Sequence, residues 1–276
     1  MNIKFKFITK SSLILFIVLG GITVCLADEQ PKMDNKTEVP PETRAKVAQA
    51  YGKLPLTFIE NKGQMDSKVR FYVSGSAGTI FFTNQEIVME FVKRENPKDK
   101  QDKPGIKSSL DTSTTTVTEH RLVLRRKFLN PNPSCQLIGI EQLPGKVNIL
   151  RGNDPAKWKQ DISTYKEIKY QNLYPGIDLV YRGNNNQLEY TIRVSPNAKI
   201  QSFEMMMEGA NQLNIKENGD LAIETLLGTF LEKKPATYQE IQGKKTTIPS
   251  KFVLRKKNTV IYDIGKYDRS LPLFIE

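Results

Sequence analysis

The sequence holds one histidine, one tryptophan and two cysteines in 276 residues, and each scarcity closes off a class of chemistry. A single imidazole, His120, leaves no second histidine for a paired metal site or a proton relay. No Gly-x-Ser-x-Gly, His-Glu-x-x-His, Walker loop or dinucleotide fingerprint occurs. His120 alternates with Leu122 and Leu124 at strand period, which is the place of a core or edge histidine. After the first 27 residues no apolar run approaches the ~20 residues of a membrane-spanning helix. Cys135 is the one cysteine of the remaining chain and has no partner for an internal disulfide, so the fold is expected to stand on packing alone.

The first 27 residues differ from the rest. Lys4, Lys6 and Lys10 make a basic head, Leu13 to Val18 an apolar run, and Cys25-Leu26-Ala27 a small-x-small site ahead of Asp28. Those are the three parts of a secretory signal peptide, so residues 1–27 are expected to be a leader and the protein to be exported, secreted or held at the cell surface or outer envelope. Gly20, Gly21 and Thr23 interrupt the run, which argues against a transmembrane anchor. Ile22-Thr23-Val24-Cys25 resembles a bacterial lipobox. Val24 stands where that motif wants Gly, Ala or Ser, which weighs against lipid anchoring at Cys25. The formal charge of +11 is spread in short runs, Arg125-Arg126-Lys127, Lys233-Lys234, Lys244-Lys245 and Lys256-Lys257, at apparent turns and strand ends. Nucleic-acid binders gather such charge on one face with aromatics between, so the expectation is a solvated surface and no nucleic-acid partner.

Residues 28–50 carry Pro31, Pro40 and Pro41 among charges and read as a flexible tether. From Leu54 onward the pattern is that of short strands: Leu56 to Glu60, Val69 to Ser74, Thr79 to Thr83, Glu86 to Val92 and His120 to Phe128, with a short strand at Cys135. Residues 96–118 have no apolar period and read as a disordered insertion between paired strands. Asn153-Asp154-Pro155 sets a short helix start, with Trp158 one turn on and expected to point inward. Further strands follow Phe203, Met205 and Met207, and Glu217-Asn218-Gly219-Asp220 is a strong hairpin turn. The three consecutive methionines put two on one face, which is a core pattern. The fold class expected is all-β: an antiparallel β-sandwich over residues 54–276 with one short helix near Asp154. Two packed sandwich-like halves, 54–150 and 151–276, are the other arrangement the pattern allows.

The best-specified element is a hairpin from Leu173 to Val194. Tyr174, Pro175 and Gly176 make a turn, after which Ile177, Leu179 and Tyr181 alternate with polar positions. Gly183 and Asn184 to Asn186 close a second turn, and Leu188, Tyr190 and Ile192 return. Pairing Tyr181 with Leu188 sets Leu179 opposite Tyr190 and Ile177 opposite Ile192, one apolar face. In that register Asp178 and Glu189 are diagonal neighbours ~7–8 Å apart on the other face. They are the candidate catalytic carboxylates at a separation glycosidases use, with Asp161 or Asp154 as third members. The alternative is a solvated face with salt bridges to Arg182 and Arg193. Calcium is the other use for oxygen ligands, from Asn153, Asp154, Asp161 and Asn184 to Asn186, but no fixed spacing marks a site, and no cofactor is expected.

Leu54-Pro55-Leu56-Thr57-Phe58, Glu60-Asn61-Lys62-Gly63-Gln64, Val69-Arg70-Phe71 and Phe81 to Glu86 are one set of landmarks. Gly152 to Trp158, Tyr174 to Tyr181, Gln187-Leu188-Glu189-Tyr190, Asn218-Gly219-Asp220-Leu221, Lys234 to Gln239 and Tyr267-Asp268-Arg269-Ser270 are another. Together they resemble an uncharacterised N-terminal β-rich domain of large secreted bacterial β-propeller-repeat (SBBP-type) proteins. Thr191 and Ile192 depart from it, standing where that family usually has Asp-Phe, and Arg193 to Asn197 is shorter than its usual turn. The resemblance implies a cell-surface or secreted accessory module and brings no catalytic residues.

Two functions are expected from these observations. The first is a non-enzymatic exported module with a structural, adhesion or accessory role, its partners being envelope components, glycans or another surface protein. The second is a glycan-binding or glycan-hydrolysing module working through Asp178 and Glu189.

Overall fold

The computed structural model describes residues 2–4, 56–75, 78–95, 118–184, 187–256 and 258–276. The expected leader beyond Lys4 with Cys25, the expected tether at 28–50 and residues 96–117 of the expected insertion lie outside the described residues. The rest is almost entirely antiparallel strand, as the alternation predicts, folded into one nearly closed barrel-like sheet and a second small sheet.

The N-terminal half of the barrel is a meander: β2 (Phe58–Glu60), β3 (Val69–Gly75), β4 (Gly78–Thr83), β5 (Glu86–Glu95) and β6 (Thr118–Phe128). β5 and β6 pair from Glu86 with Lys127 to Glu95 with Thr118, so residues 96–117 connect the two strands of one hairpin. β7 (Gln136–Ile149) and β8 (Lys159–Tyr174) follow as the two longest strands. The alternation had marked only Cys135 in this region. The reason is physical: register shifts at Gln142 to Lys146, Val147 to Ile149 and Tyr170 to Tyr174 break the period of two, and Glu141, Asp161 and Asn172 take positive φ. Pro144 is tolerated because, among the described strands, β7 pairs with β8 alone and is an edge.

Between β7 and β8 lies the expected helix start, a 3-10 turn at Pro155–Lys157. Asp154 Oδ1 accepts from the Ala156 amide at 3.0 Å and Pro155 takes the first position. Trp158 corrects the expectation of burial. It is half-buried, and its indole donates to the Gly152 carbonyl at 3.1 Å, closing its own loop. A turn this short gives the ring no helix face to dock with.

β8 turns into β9 (Ile177–Asn184) and β9 into β10 (Gln187–Val194). Tyr174 pairs with Ile177 across Pro175-Gly176, Gly176 taking φ of +73°, the geometry a type II turn requires of its second central residue. The β9–β10 register is a correction. Tyr181 faces Tyr190, Leu179 faces Ile192 and Gly183 faces Leu188, two residues away from the expected pairing, because the ladder runs on to Asn184 opposite Gln187. Side chains repeat at two, so a slip of two leaves each on its own side. Ile177, Leu179, Tyr181, Leu188, Tyr190 and Ile192 are all buried, on one face as expected.

The C-terminal part runs β11 (Met205–Glu208), β12 (Gln212–Ile215), β13 (Leu221–Thr225), β14 (Gly228–Glu232), β15 (Thr237–Ile241), β16 (Lys244–Ile248), β17 (Ser250–Arg255), β18 (Thr259–Ile264) and β19 (Leu273–Ile275). β12 and β13 are joined by the predicted Asn218-Gly219 turn, and Met205 and Met207 are buried while Met206 is not. β11 pairs with β6, joining the C-terminal strands to the first meander, and β2 pairs with β8. A short strand β1 (Asn2–Lys4) lies between β10 and β14 and pairs with both.

One hydrophobic cluster runs through both halves of the chain. The meander packs on the hairpin through rings at edge-on or tilted angles: Phe82 with Tyr181 at 5.4 Å and Phe128 with Tyr170 at 5.2 Å between centroids. Leu56 closes against the hairpin where Gly183 leaves no side chain, since a Cβ at 183 would lie 2.3 Å from the Leu56 carbonyl oxygen. Leu179 is wholly buried in this layer. Leu179→Ala is expected to cost ~2–5 kcal/mol of folding free energy, read from urea unfolding midpoints. Glu189→Gln, on the outer face, is expected to change it by less than ~0.5 kcal/mol.

Candidate functional site

The candidate carboxylates are placed apart by the observed register. Asp178 faces Arg193 and Glu189 faces Arg182, four residues distant along the pair. At ~3.3 Å per residue that is ~13 Å at the backbone, beyond the separations of a glycosidase pair. Both groups have structural work. Asp178 Oδ1 accepts from the Asn172 amide at 2.7 Å and its Oδ2 lies 3.5 Å from Lys169 Nζ, which holds the bulge before the Pro175-Gly176 turn. Glu189 Oε1 accepts from Asn184 Nδ2 at 2.9 Å, tying the end of β9 to the start of β10. Of the other oxygen donors, Asp154 caps the 3-10 turn and Asp161 sits at a positive φ in β8. Among the described residues no group of three or more His, Cys, Asp and Glu is placed to hold a metal. His120 is exposed on β6, opposite Lys93.

The polar centre of the molecule lies elsewhere, inside the barrel. Arg126 on β6 is 2 % exposed and Glu232 on β14 is fully buried. Arg126 Nη2 donates to Glu232 Oε2, and the Tyr190 hydroxyl donates to Glu232 Oε1. Because the Tyr190 proton is spent on the carboxylate, the Tyr262 hydroxyl, 2.7 Å away, donates to Tyr190. The Arg126 guanidinium also stands 5.5 Å from the centre of the Tyr190 ring. This corrects the reading of Arg125-Arg126-Lys127 as a solvated run: Arg125 and Lys127 reach outward to Glu86 and Glu208, while Arg126 turns in. The signal was present in the alternation. Arg126 occupies the apolar register of Leu122, Leu124 and Phe128, and Glu232 that of Phe230.

Burial works against the Arg126 charge, and Glu232 with the neighbouring phenols outweighs it, so the guanidinium pKa is held above its ordinary range. Burial raises the phenols. Tyr190 and Tyr262 lie well above the usual value, with the Glu232 charge adding to burial. Tyr181 is pushed up by burial to about 12, with the Arg126 charge pulling the other way. Tyr170 is raised by burial too, and Tyr174, whose hydroxyl donates to the carbonyls of Leu129 and Glu204, to about 12.

Not every polar atom is satisfied. Arg126 Nε and Nη1 and the hydroxyls of Tyr170 and Tyr181 have no hydrogen-bond partner among the described residues. The space beside Arg126 and Tyr181, lined also by Ile87, Met89 and Leu188, is nowhere wide enough for a water molecule. A closed, neutralised pair of this kind holds strands together and offers no reacting atom to a substrate. Cys135 is equally inert: burial, with the Asp178 charge, pushes its thiol up to about 11. On the surface, a shallow open hollow is lined by Glu204, Leu254, Arg255, Lys256 and Thr259, with Arg255 Nη1 2.6 Å from Glu204.

Removing one member of the buried pair strands the other. Glu232→Gln is expected to cost ~3–5 kcal/mol, and the double change Arg126→Met with Glu232→Leu to recover most of that loss in the same urea titration. The tyrosines set the alkaline limit. Their folded pKa values lie above the unfolded ~10, so their full contribution is present below pH ~10 and is lost as pH rises from there through the folded values. Absorbance near 295 nm is expected to show Tyr170, Tyr174, Tyr181, Tyr190 and Tyr262 ionising together with loss of the fold.

No curated protein matches this chain, and no solved structure matches it. Residues 58–276, β2 through the end of β19 and beyond to Glu276, match a family model described as Domain of unknown function (DUF7948), and the chain belongs to that family.

Proposed function

We propose that the protein is a non-enzymatic exported β module of the cell surface or secreted fraction, with a structural, adhesion or accessory role. The observation that carries the reading is where the chemistry-bearing groups are spent. Among the described residues the interior ion pair of Arg126 and Glu232 is sealed among phenols, and the two carboxylates best suited to hydrolysis are bonded within their own strands' ends, Asp178 to the Asn172 amide and Glu189 to Asn184. Such a body is a rigid support, and contact with a partner falls to its outer surface and strand edges. The three-part leader supports export, and no helix among the described residues is long and apolar enough to cross a membrane. The sequence resemblance extends the proposal: in longer relatives the domain stands ahead of β-propeller repeats, as an accessory to them.

The full-length chain with a C-terminal tag, expressed in a bacterial host with an outer envelope, tests this. Export with an N-terminus at Asp28, retention of purified protein on envelope fractions or a glycan array, and no turnover of a polysaccharide panel are the expected results. A cytoplasmic protein with Met1 in place overturns the export reading. Hydrolysis abolished by Asp178→Asn or Glu189→Gln overturns the non-enzymatic one.

A further inference from the structure

Barrel closure between β10 and β14 depends on three residues. β10 pairs with β9 along one edge; along the other it pairs with β19 at Ile192 to Val194 and with β1 at Leu188 and Glu189. β14 pairs with β13 on one edge and with β1 on the other, at Leu231 and Glu232. β10 and β14 are therefore two strand edges facing each other across the width of one inserted strand, ~9.5 Å. The gap has a reason to stay open at that width. Tyr190 of β10 donates to Glu232 of β14 from inside the barrel, so a buried, charge-assisted bond spans the seam beneath the inserted strand.

The seated strand shows what the seam accepts. Asn2–Lys4 runs antiparallel to both edges, and the position of Ile3 is in register with Leu188 and Glu232, both interior residues. In sequence it continues an alternation of apolar and basic residues, Ile3-Lys4-Phe5-Lys6-Phe7. These same residues are the head of the leader. Export with cleavage before Asp28 removes them and leaves two unpaired rows of backbone donors and acceptors, which is the setting of strand addition.

We propose that the seam between β10 and β14 is a strand-acceptor slot that binds an extended segment of a partner polypeptide, alternating apolar and basic residues, after the leader has left. The proposal rests on the export reading. The paired edges of Leu188–Glu189 and Leu231–Glu232 supply backbone hydrogen bonds, and the interior register position selects the apolar residue.

The test uses protein recovered from the exported fraction, its N-terminus read by intact mass. A synthetic peptide of residues 2–7 is added, with a control carrying proline at positions 3 and 5, and amide hydrogen exchange is followed in 187–191 and 229–232. With the leader gone, the expected result is fast exchange in both segments, slowed about tenfold or more by the peptide and not by the proline control. Slow exchange without peptide, or no response to it, means that the chain closes its own seam and overturns the proposal. If Met1 is retained, the export reading fails by itself, and Ile3→Pro then tests the slot: faster exchange at both segments, reversed by peptide in trans, supports it, and unchanged exchange overturns it.

Discussion

The Arg126–Glu232 pair is the constraint around which the barrel interior is arranged. In an apolar interior an unpaired charge costs several kcal/mol, so each member must find the other or the fold is lost. The pair joins β6 to β14, and the phenols draw in β10 through Tyr190 and β18 through Tyr262. Four strands from separate stretches of the chain are thereby held to one arrangement. Aliphatic packing alone is non-directional and tolerates neighbouring registers, whereas this bonded set has one geometry.

The aromatic layer around that pair explains why a barrel of this size is filled. Phe82, Tyr181 and Tyr190 lie in sequence across the interior at 5.4 Å steps, and Phe128, Tyr170, Phe203 and Tyr262 continue the layer. Large rings span the distance between opposed sheets that Leu or Val would leave hollow. The hydroxyls come with the rings: the Glu232 carboxylate accepts from Tyr190, the backbone carbonyls of Leu129 and Glu204 accept from Tyr174, and Tyr262 bonds to Tyr190.

The motifs that mark the family resemblance are loop locks. Asn61 accepts from the amides of Gly63 and Met65 and donates to the carbonyls of Asp66 and Val69, closing the β2–β3 loop. Asp220, after the Asn218-Gly219 turn, accepts from Lys233 Nζ at 2.7 Å and from the Lys234 amide at 3.0 Å, tying that turn to the end of β14. Gln239 and Asp268 exchange side-chain and backbone hydrogen bonds, anchoring the segment before β19 on β15. Irregular backbone needs such partners. In these three places their chemistry is spent on the fold.

Alternation along the chain settled which residues share a face. The six apolar hairpin positions are buried together even though the expected register was off by two, because a slip of two preserves sidedness. It could not settle which residues stand opposite. That depended on how far the ladder runs into the asparagine stretch: with Asn184 opposite Gln187, Asp178 and Glu189 move from neighbours to ~13 Å apart. β7 and β8 were hidden for a related reason, since bulges reset the period wherever a long strand bends. Arg126 and Glu232 stood in apolar registers in plain view, yet what makes them a pair is a separation of 106 residues. Only closure of the barrel brings β6 and β14 face to face, and local pattern carries no record of which distant strand supplies the opposite charge.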